Sequence, residues 1–148
     1  MKYTYDYPRA LVTVDAIIID SANQNKILLI KRGNEPFKSM WAFPGGFIEM
    51  DETLEQSVIR EVEEETCLTN IDFKQYKAFG NPSRDPRGRN IAVVFYGNCN
   101  NPKLAKAGDD ACELNWFDIN HLPELAFDHK EIITEFLQSR LLFQFRQI

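Results

Sequence analysis

An α/β fold, with a mixed sheet packed between helices, is what this sequence predicts. Three observations carry that expectation. β-rich runs stand on both sides of one mid-chain amphipathic helix, the chain closes on a second helix, and turn-rich segments separate the runs. At 148 residues the chain reads as a single domain over 1–148, because domains most often run about 100–150 residues.

The elements follow in order. "LVTVDAIIID" reads as a strand with partly alternating burial, "SANQN" as a turn, and "KILLIKR" as a second strand entering a core. "GNEPFKSMWAFPGGF" is broken by Gly33, Pro36, Pro44, Gly45 and Gly46 and reads as irregular. "TLEQSVIREVEEE" is a helix in which Thr53 and Gln56 make a capping box. Leu54, Val58 and Val62 form its buried stripe, widened by Ile59. "IDFKQYKAFG" and "NIAVVFYGN" are β-rich, with the turn-rich loop "NPSRDPRGR" between them, and "ACELNWFDI" is another short strand. In the last helix Asp128 fits as N-cap with Glu131 at N3, and Phe127 with Ile132 fits a hydrophobic staple. Ile132, Ile133, Phe136, Leu137 and Leu141 then recur at helical spacing. Trp41 and Trp116 are expected in the core.

Composition excludes several classes. The net charge of -5 disfavours nonspecific nucleic-acid binding. No apolar stretch approaches the ~18 residues of a membrane span. "MKYTYDYPRALVTV" lacks the charge and apolar pattern of a signal peptide. Cys67, Cys99 and Cys112 form no short-spaced pair, which argues against a disulfide framework or zinc ribbon. The expectation is a cytoplasmic protein in a reducing compartment, with no nucleic-acid or membrane partner. The negative charge suits an anionic substrate only where bound cations reverse the local sign.

Between Glu49 and Glu65 stand eight acidic side chains and one arginine. Like charges one helical turn apart cost a few tenths of a kcal/mol per pair, roughly. Glu61, Glu64 and Glu65 lie within about a 100° arc beside the buried stripe, while Glu63 points away. Arg60 flanks the cluster. A solvated helix face is the plain reading of an acidic run. The glycine pair upstream and the lone arginine argue for more. Magnesium takes carboxylates, a carbonyl and waters, and bridges to substrate phosphates. Gly45 and Gly46, lacking side chains, let their backbone approach such an ion. The implied chemistry is metal-assisted attack of water on a phosphate.

These residues resemble the Nudix box. Gly46, Glu52, Arg60, Glu61, Val62, Glu64, Glu65 and Leu68 match it, and "WAFPGG" is similar to the usual approach to it. The resemblance implies the Nudix fold, an α/β/α sandwich with a mixed central β-sheet. It implies that Glu61, Glu64 and Glu65 hold magnesium or manganese with help from the Gly46 carbonyl, and that Glu52 and Arg60 pair to brace the ligands. Cys67 departs from the pattern: it stands where the family usually has glycine, at the left-handed turn after the helix.

Further along, "IKRGNEPFKSMWAFPGG", "FGNPSRDPRGRNIAVVFY" and "DDACELNWFDINHLPELAFDHKEI" are similar to segments of ADP-ribose pyrophosphatases of this superfamily. They are also similar to the Nudix-like domains of transcription regulators of NAD metabolism. Such regulators often have an eroded box, whereas here every carboxylate position is filled. The resemblance implies a metal-dependent hydrolase cleaving a nucleoside diphosphate derivative, ADP-ribose above others, into AMP and ribose 5-phosphate. A nucleoside triphosphate pyrophosphohydrolase, including one for oxidised nucleotides, is the first alternative. A non-catalytic ADP-ribose sensor is the second. A homodimer is expected from the same resemblance.

Guanidinium forks suit phosphate and ribose oxygens. Arg84, Arg87 and Arg89 of the loop can serve in this way; Arg32, Arg84 and Arg89 are taken as the substrate-binding candidates, with Phe79 as a stacking ring and Tyr96 beside it. A solvated loop for the arginines and core packing for the rings are the competing readings. For the general base, "AKAGDDACE" offers Asp110 and Glu113, with Asp109, each of which also reads as surface charge. His121 and His129 are expected to be structural.

Overall fold

β1 (Leu11–Asp20) runs through the middle of the sheet, and its residues are buried without a break from Thr13 to Ile19. The computed structural model, which describes residues 2–108 and 110–146, shows why the expected alternation is absent. Val14, Ala16 and Ile18 pack toward α1 (Leu54–Thr66), in a cluster with Leu28, Val58, Val62 and Phe95. Ile17 and Ile19 pack on the other face with Ile27, Leu29 and Phe43. There they meet Ile132, Ile133 and Phe136 of α2 (His129–Arg146). A strand covered on both faces reads as a near-continuous apolar run. The architecture is the expected mixed sheet between helices. Among the described residues no helix is long and apolar enough to cross a membrane.

β1 pairs in parallel with β6 (Asn90–Cys99) along its length. β5 (Lys74–Phe79) lies antiparallel on the far side of β6. β2 (Lys26–Arg32) pairs antiparallel with β7 (Ala111–Asp118). β1 and β2 meet only at Ile19 and Ile27. Beyond that pair they part, and β3 (Trp41–Ala42) on β2 and β4 (Gly45–Phe47) on β1 fill the gap. The segment expected to be irregular thus supplies two short strands, kept short by its glycines and prolines.

α1 begins as its sequence predicts. The Thr53 hydroxyl accepts from the Gln56 N–H at 3.1 Å, and the Gln56 side chain accepts from the Thr53 N–H at 2.8 Å. Its buried face is shifted from the one expected. Ser57, Val58, Val62, Glu65 and Thr66 are buried, whereas Ile59 is 50% exposed. The helix has rolled toward its carboxylate side, so Ile59 falls outside the contact. In α2, Ile132, Ile133 and Phe136 are buried as expected, but Leu141 is 57% exposed. The expected staple is also absent. Phe127 packs near Ile30, Ala42, Ala111 and Ala126, while Ile132 belongs to a different cluster. Trp41 and Trp116 pack against the two main clusters as expected.

Cys67 ends α1 with φ 61° and ψ 7°, and its N–H bonds to the Glu63 carbonyl at 2.9 Å. The left-handed turn is there, held by a residue with a Cβ. Such a conformation costs an L-residue about 1–2 kcal/mol. Cys67→Gly is therefore expected to leave stability unchanged or raise it by up to about 1 kcal/mol, because glycine's extra unfolded-state freedom offsets part of the relief. Urea denaturation measures this, and a loss above about 1 kcal/mol contradicts it.

Candidate active site

A cleft of about 480 Å³ opens where β1 and β2 part. β1 gives it Thr13 and Asp15, and β2 gives it Ile30 and Arg32. The β3–β4 segment contributes Phe43, Gly45, Gly46 and Phe47, and α1 contributes Arg60, Glu61 and Glu65.

The glycine pair is set by close approach. A Cβ on Gly46 would stand 2.6 Å from the Glu61 carboxyl carbon, and one on Gly45 would meet the Val14 carbonyl and the Asp15 carboxylate. Glu61 therefore lies directly on bare backbone. Glu65 is buried, and that burial, followed by the charge of Glu61, pushes its carboxyl up to about 9. Burial raises Glu61 as well, against the pull of Arg60.

Arg60 is the positive charge among these acids. It reaches Glu52 at 2.6 Å, Glu61 at 2.8 Å, Glu64 at 3.3 Å and Glu49 at 3.9 Å, and it donates to the Phe47 carbonyl at 3.2 Å. The expected Glu52–Arg60 pair is present. Arg60, then the Ser57 hydroxyl, holds the Glu52 carboxyl down to about 2. Glu64 does not line the cleft, and its side chain is 42% exposed. Among the described residues no three His, Cys, Asp or Glu side chains stand close enough to share an ion. Arg60 pairs with both Glu61 and Glu64. The donor set nonetheless fits a hard dication. It offers three carboxylates within two helical turns, an open backbone at Gly46, and a buried Glu65 that needs a nearby cation to ionise.

The arginine loop differs from expectation. The Arg84 side chain is 3% exposed and forks onto Asp128 at 2.7 and 2.9 Å, joining the loop to the start of α2. Burial works against its charge, and Asp128 more than offsets this, so its pKa lies above the ordinary value. Its fork is thus already engaged, and the Asp128 carboxylate expected to cap the helix is held by Arg84. Arg89 is turned away from the cleft and donates to the Gly80 carbonyl at 2.6 Å. Arg87 is the loop arginine with an open face. Its side chain is 37% exposed, lines the cleft, and pairs with buried Asp85 at 2.8 Å. Arg32 lines the cleft as expected and makes no ion pair among the described residues.

Phe79 does not reach the cleft. It sits on β5, packed against the α2-side cluster beside Tyr76, and Tyr96 likewise packs on Phe136. Asp110 lines the cleft and accepts from the Asn34 amide at 3.2 Å. Glu113 lies outside it, near Lys31 at 3.7 Å, and Asp109 lies outside the described residues. His129 is buried, and its Nδ1 accepts from the Phe43 N–H at 3.1 Å, which leaves the proton on Nε2, 3.7 Å from Asp15. It is structural as expected, but it also lines the cleft.

Sequence reasoning missed Asp15, Phe47 and Phe127. Asp15 had a visible signal, a lone carboxylate inside "LVTVDAIIID". Phe47 and Phe127 had none, since aromatic side chains beside turns are ordinary core material.

The family model for the NUDIX domain matches residues 9–136. The ADP-ribose pyrophosphatase of Methanocaldococcus jannaschii is 48% identical over 132 residues, 89% of this chain and 76% of that protein. The ADPR responsive transcriptional repressor NtrR of Acinetobacter baylyi is 35% identical over 88% of this chain, which spans 54% of the repressor. The NUDIX domain of Shewanella oneidensis NrtR, solved in complex with ADP ribose, is 34% identical with a TM-score of 0.80, covering 93% of this chain and 94% of that one.

Two substitutions separate structural from chemical roles for the glycines. Gly45→Ala meets backbone and is expected to cost about 3 kcal/mol in denaturation. Gly46→Ala meets only the movable end of Glu61, so it should keep the fold and lower turnover by displacing that carboxylate. Arg84→Ala strands the Asp128 carboxylate and is expected to cost about 3–5 kcal/mol of stability, read in the same experiment.

Proposed function

The chain belongs to the Nudix family, as a pyrophosphohydrolase of it, and on that premise we propose that it cleaves the diphosphate of a nucleoside diphosphate derivative. ADP-ribose is the first candidate, with AMP and ribose 5-phosphate as products. The observation that carries this reading is one cleft lined by a carboxylate cradle and by four arginines, of which Arg60 and Arg84 are engaged by carboxylates and Arg32 and Arg87 keep part of their forks free. Dications at the first and arginines at the second match the charge of a diphosphate bridge. Similarity to an ADP-ribose pyrophosphatase and to a domain solved with ADP ribose supports the adenosine diphosphate part.

Glu61, Glu64 and Glu65 would hold magnesium or manganese, with the Gly46 backbone beside them. When bound, such ions neutralise phosphate oxygens and lower the pKa of a bound water. Arg60, fixed by Glu52, orients the ligand carboxylates. Once Glu61 and Glu64 turn inward, it keeps its bonds to Glu52 and to the Phe47 carbonyl. Asp110 is the candidate base that lines the cleft; Glu113 stands too far out for that role. Pairing of two copies belongs to the same proposal, and exposed Tyr3, Tyr5, Tyr7 and Leu11 near the N-terminus offer apolar surface for it.

A sensor that binds ADP-ribose without turnover is the second reading, favoured by the similarity to ADPR-responsive repressors. The filled carboxylate positions speak for turnover. The deciding experiment measures AMP or pyrophosphate release from ADP-ribose, nucleotide sugars, dinucleotides and deoxynucleoside triphosphates, with and without dication. ADP-ribose is expected to give AMP only with metal. Glu64→Gln should lower kcat by orders of magnitude while leaving thermal stability nearly unchanged. Tight ADP-ribose binding without any release of AMP establishes the sensor instead.

A further inference from the structure

Phe127 has a backbone φ of 53°. For a bulky residue that conformation is a genuine outlier, costing of order 1–3 kcal/mol. The surroundings enforce it. The Ala126 N–H bonds to the Trp41 carbonyl at 2.8 Å, Phe37 packs edge-on at 4.8 Å, and the next residue, Asp128, is held by Arg84. The strained backbone turns the ring to the cleft, where two guanidiniums meet it. The Arg32 carbon stands 5.0 Å from the ring centre and the Arg87 carbon 5.4 Å. Arg87 is also 4.7 Å from the ring of Phe47.

Two like charges gathered at one ring repel each other unless an anion joins them. Asp85 balances Arg87 from one side only. Arg32 spends Nε on the Pro36 carbonyl at 2.8 Å, and no described residue accepts from its two terminal amino groups. Burial, and then the charge of Arg87, lowers the Arg32 pKa, and the carboxylates of Glu65, Asp85 and Asp15 offset this only in part. Stacking on aromatic faces fixes the planes of both forks and leaves their edges free for oxygen acceptors.

We propose that Phe127 positions Arg32 and Arg87 as an anion clamp for a phosphoanhydride group, and that the clamp grips this group without a divalent cation. It deepens the function proposed above and rests on that reading for the identity of the natural anion. Phe47 joins the clamp to the cradle, since its ring carries Arg87 while its carbonyl accepts from Arg60. One phosphate therefore faces the guanidiniums while its neighbour lies toward the carboxylates.

Calorimetry in EDTA with inorganic pyrophosphate and with ADP-ribose tests the clamp. Wild type is expected to bind both. Arg32→Gln and Arg87→Gln should each weaken binding by about ten-fold or more, the loss of one charge-assisted contact. Phe127→Leu should weaken it several-fold and Phe127→Tyr, which keeps the aromatic face, should restore it. With magnesium and ADP-ribose, these variants should raise KM more than they lower kcat. Thermal unfolding checks each fold, and Arg32→Gln, which breaks no ion pair, keeps the test open if a loop variant unfolds. Unchanged pyrophosphate affinity in both arginine variants, or wild-type binding only when magnesium is supplied, overturns the clamp. Metal-free binding lost on substitution, together with no hydrolysis of ADP-ribose, overturns the hydrolase reading and upholds the clamp.

Discussion

The site depends on how closely α1 approaches the strand pair β1–β4. Bare backbone at Gly46 lets Glu61 lie against the sheet, and the Gly45 backbone hydrogen-bonds to Glu65 beside it. That contact buries Glu65, rolls the helix so that Ile59 faces water, and brings Arg60 onto the Phe47 carbonyl. The same approach requires β1 and β2 to part, because β4 takes the edge of β1 that β2 leaves. The cleft is thus a direct consequence of admitting a carboxylate-bearing helix into a sheet.

Much of this was legible in the sequence, and for local reasons. The capping box, the stripe at Val58 and Val62, the left-handed exit at Cys67 and the Glu52–Arg60 pair all join residues within about two turns or one loop of each other. Spacing alone determines such contacts. The arginine loop was legible as a group, and Arg84 and Arg87 do line the cleft, but which fork is free was not legible because the partners are distant. Arg84 is spent on Asp128, 44 positions away, and nothing near either residue announces that pair. Phe79 was misread for a related reason: β5 lies beyond β6, on the far side of the sheet from the cleft mouth. An aromatic side chain on an edge strand looks the same whether it meets a base or a neighbouring helix. Ile59 shows a third limit. Hydrophobicity places the centre of a helix's buried face, but a tertiary contact made by glutamates shifted that centre toward the polar side.

The arrangement of charge explains how an acidic protein can receive an anion. Arg60 satisfies the carboxylates when no other cation is at hand, which lets α1 carry like charges without the repulsion that bare spacing implies. It holds Glu52 more firmly than it holds Glu61 and Glu64. The difference lies in geometry: Glu52 is gripped by Nε and a terminal amino group of Arg60 together, whereas Glu61 and Glu64 share its other amino group. The two singly held carboxylates are therefore more weakly tied to Arg60 than the doubly held one. Glu65 differs again: it forms no ion pair with an arginine among the described residues, and burial, then the charge of Glu61, pushes its carboxyl up to about 9. The carboxylates of this face are thus held in three ways along one helix and the turn before it: doubly by Arg60 at Glu52, singly by Arg60 at Glu61 and Glu64, and by burial at Glu65.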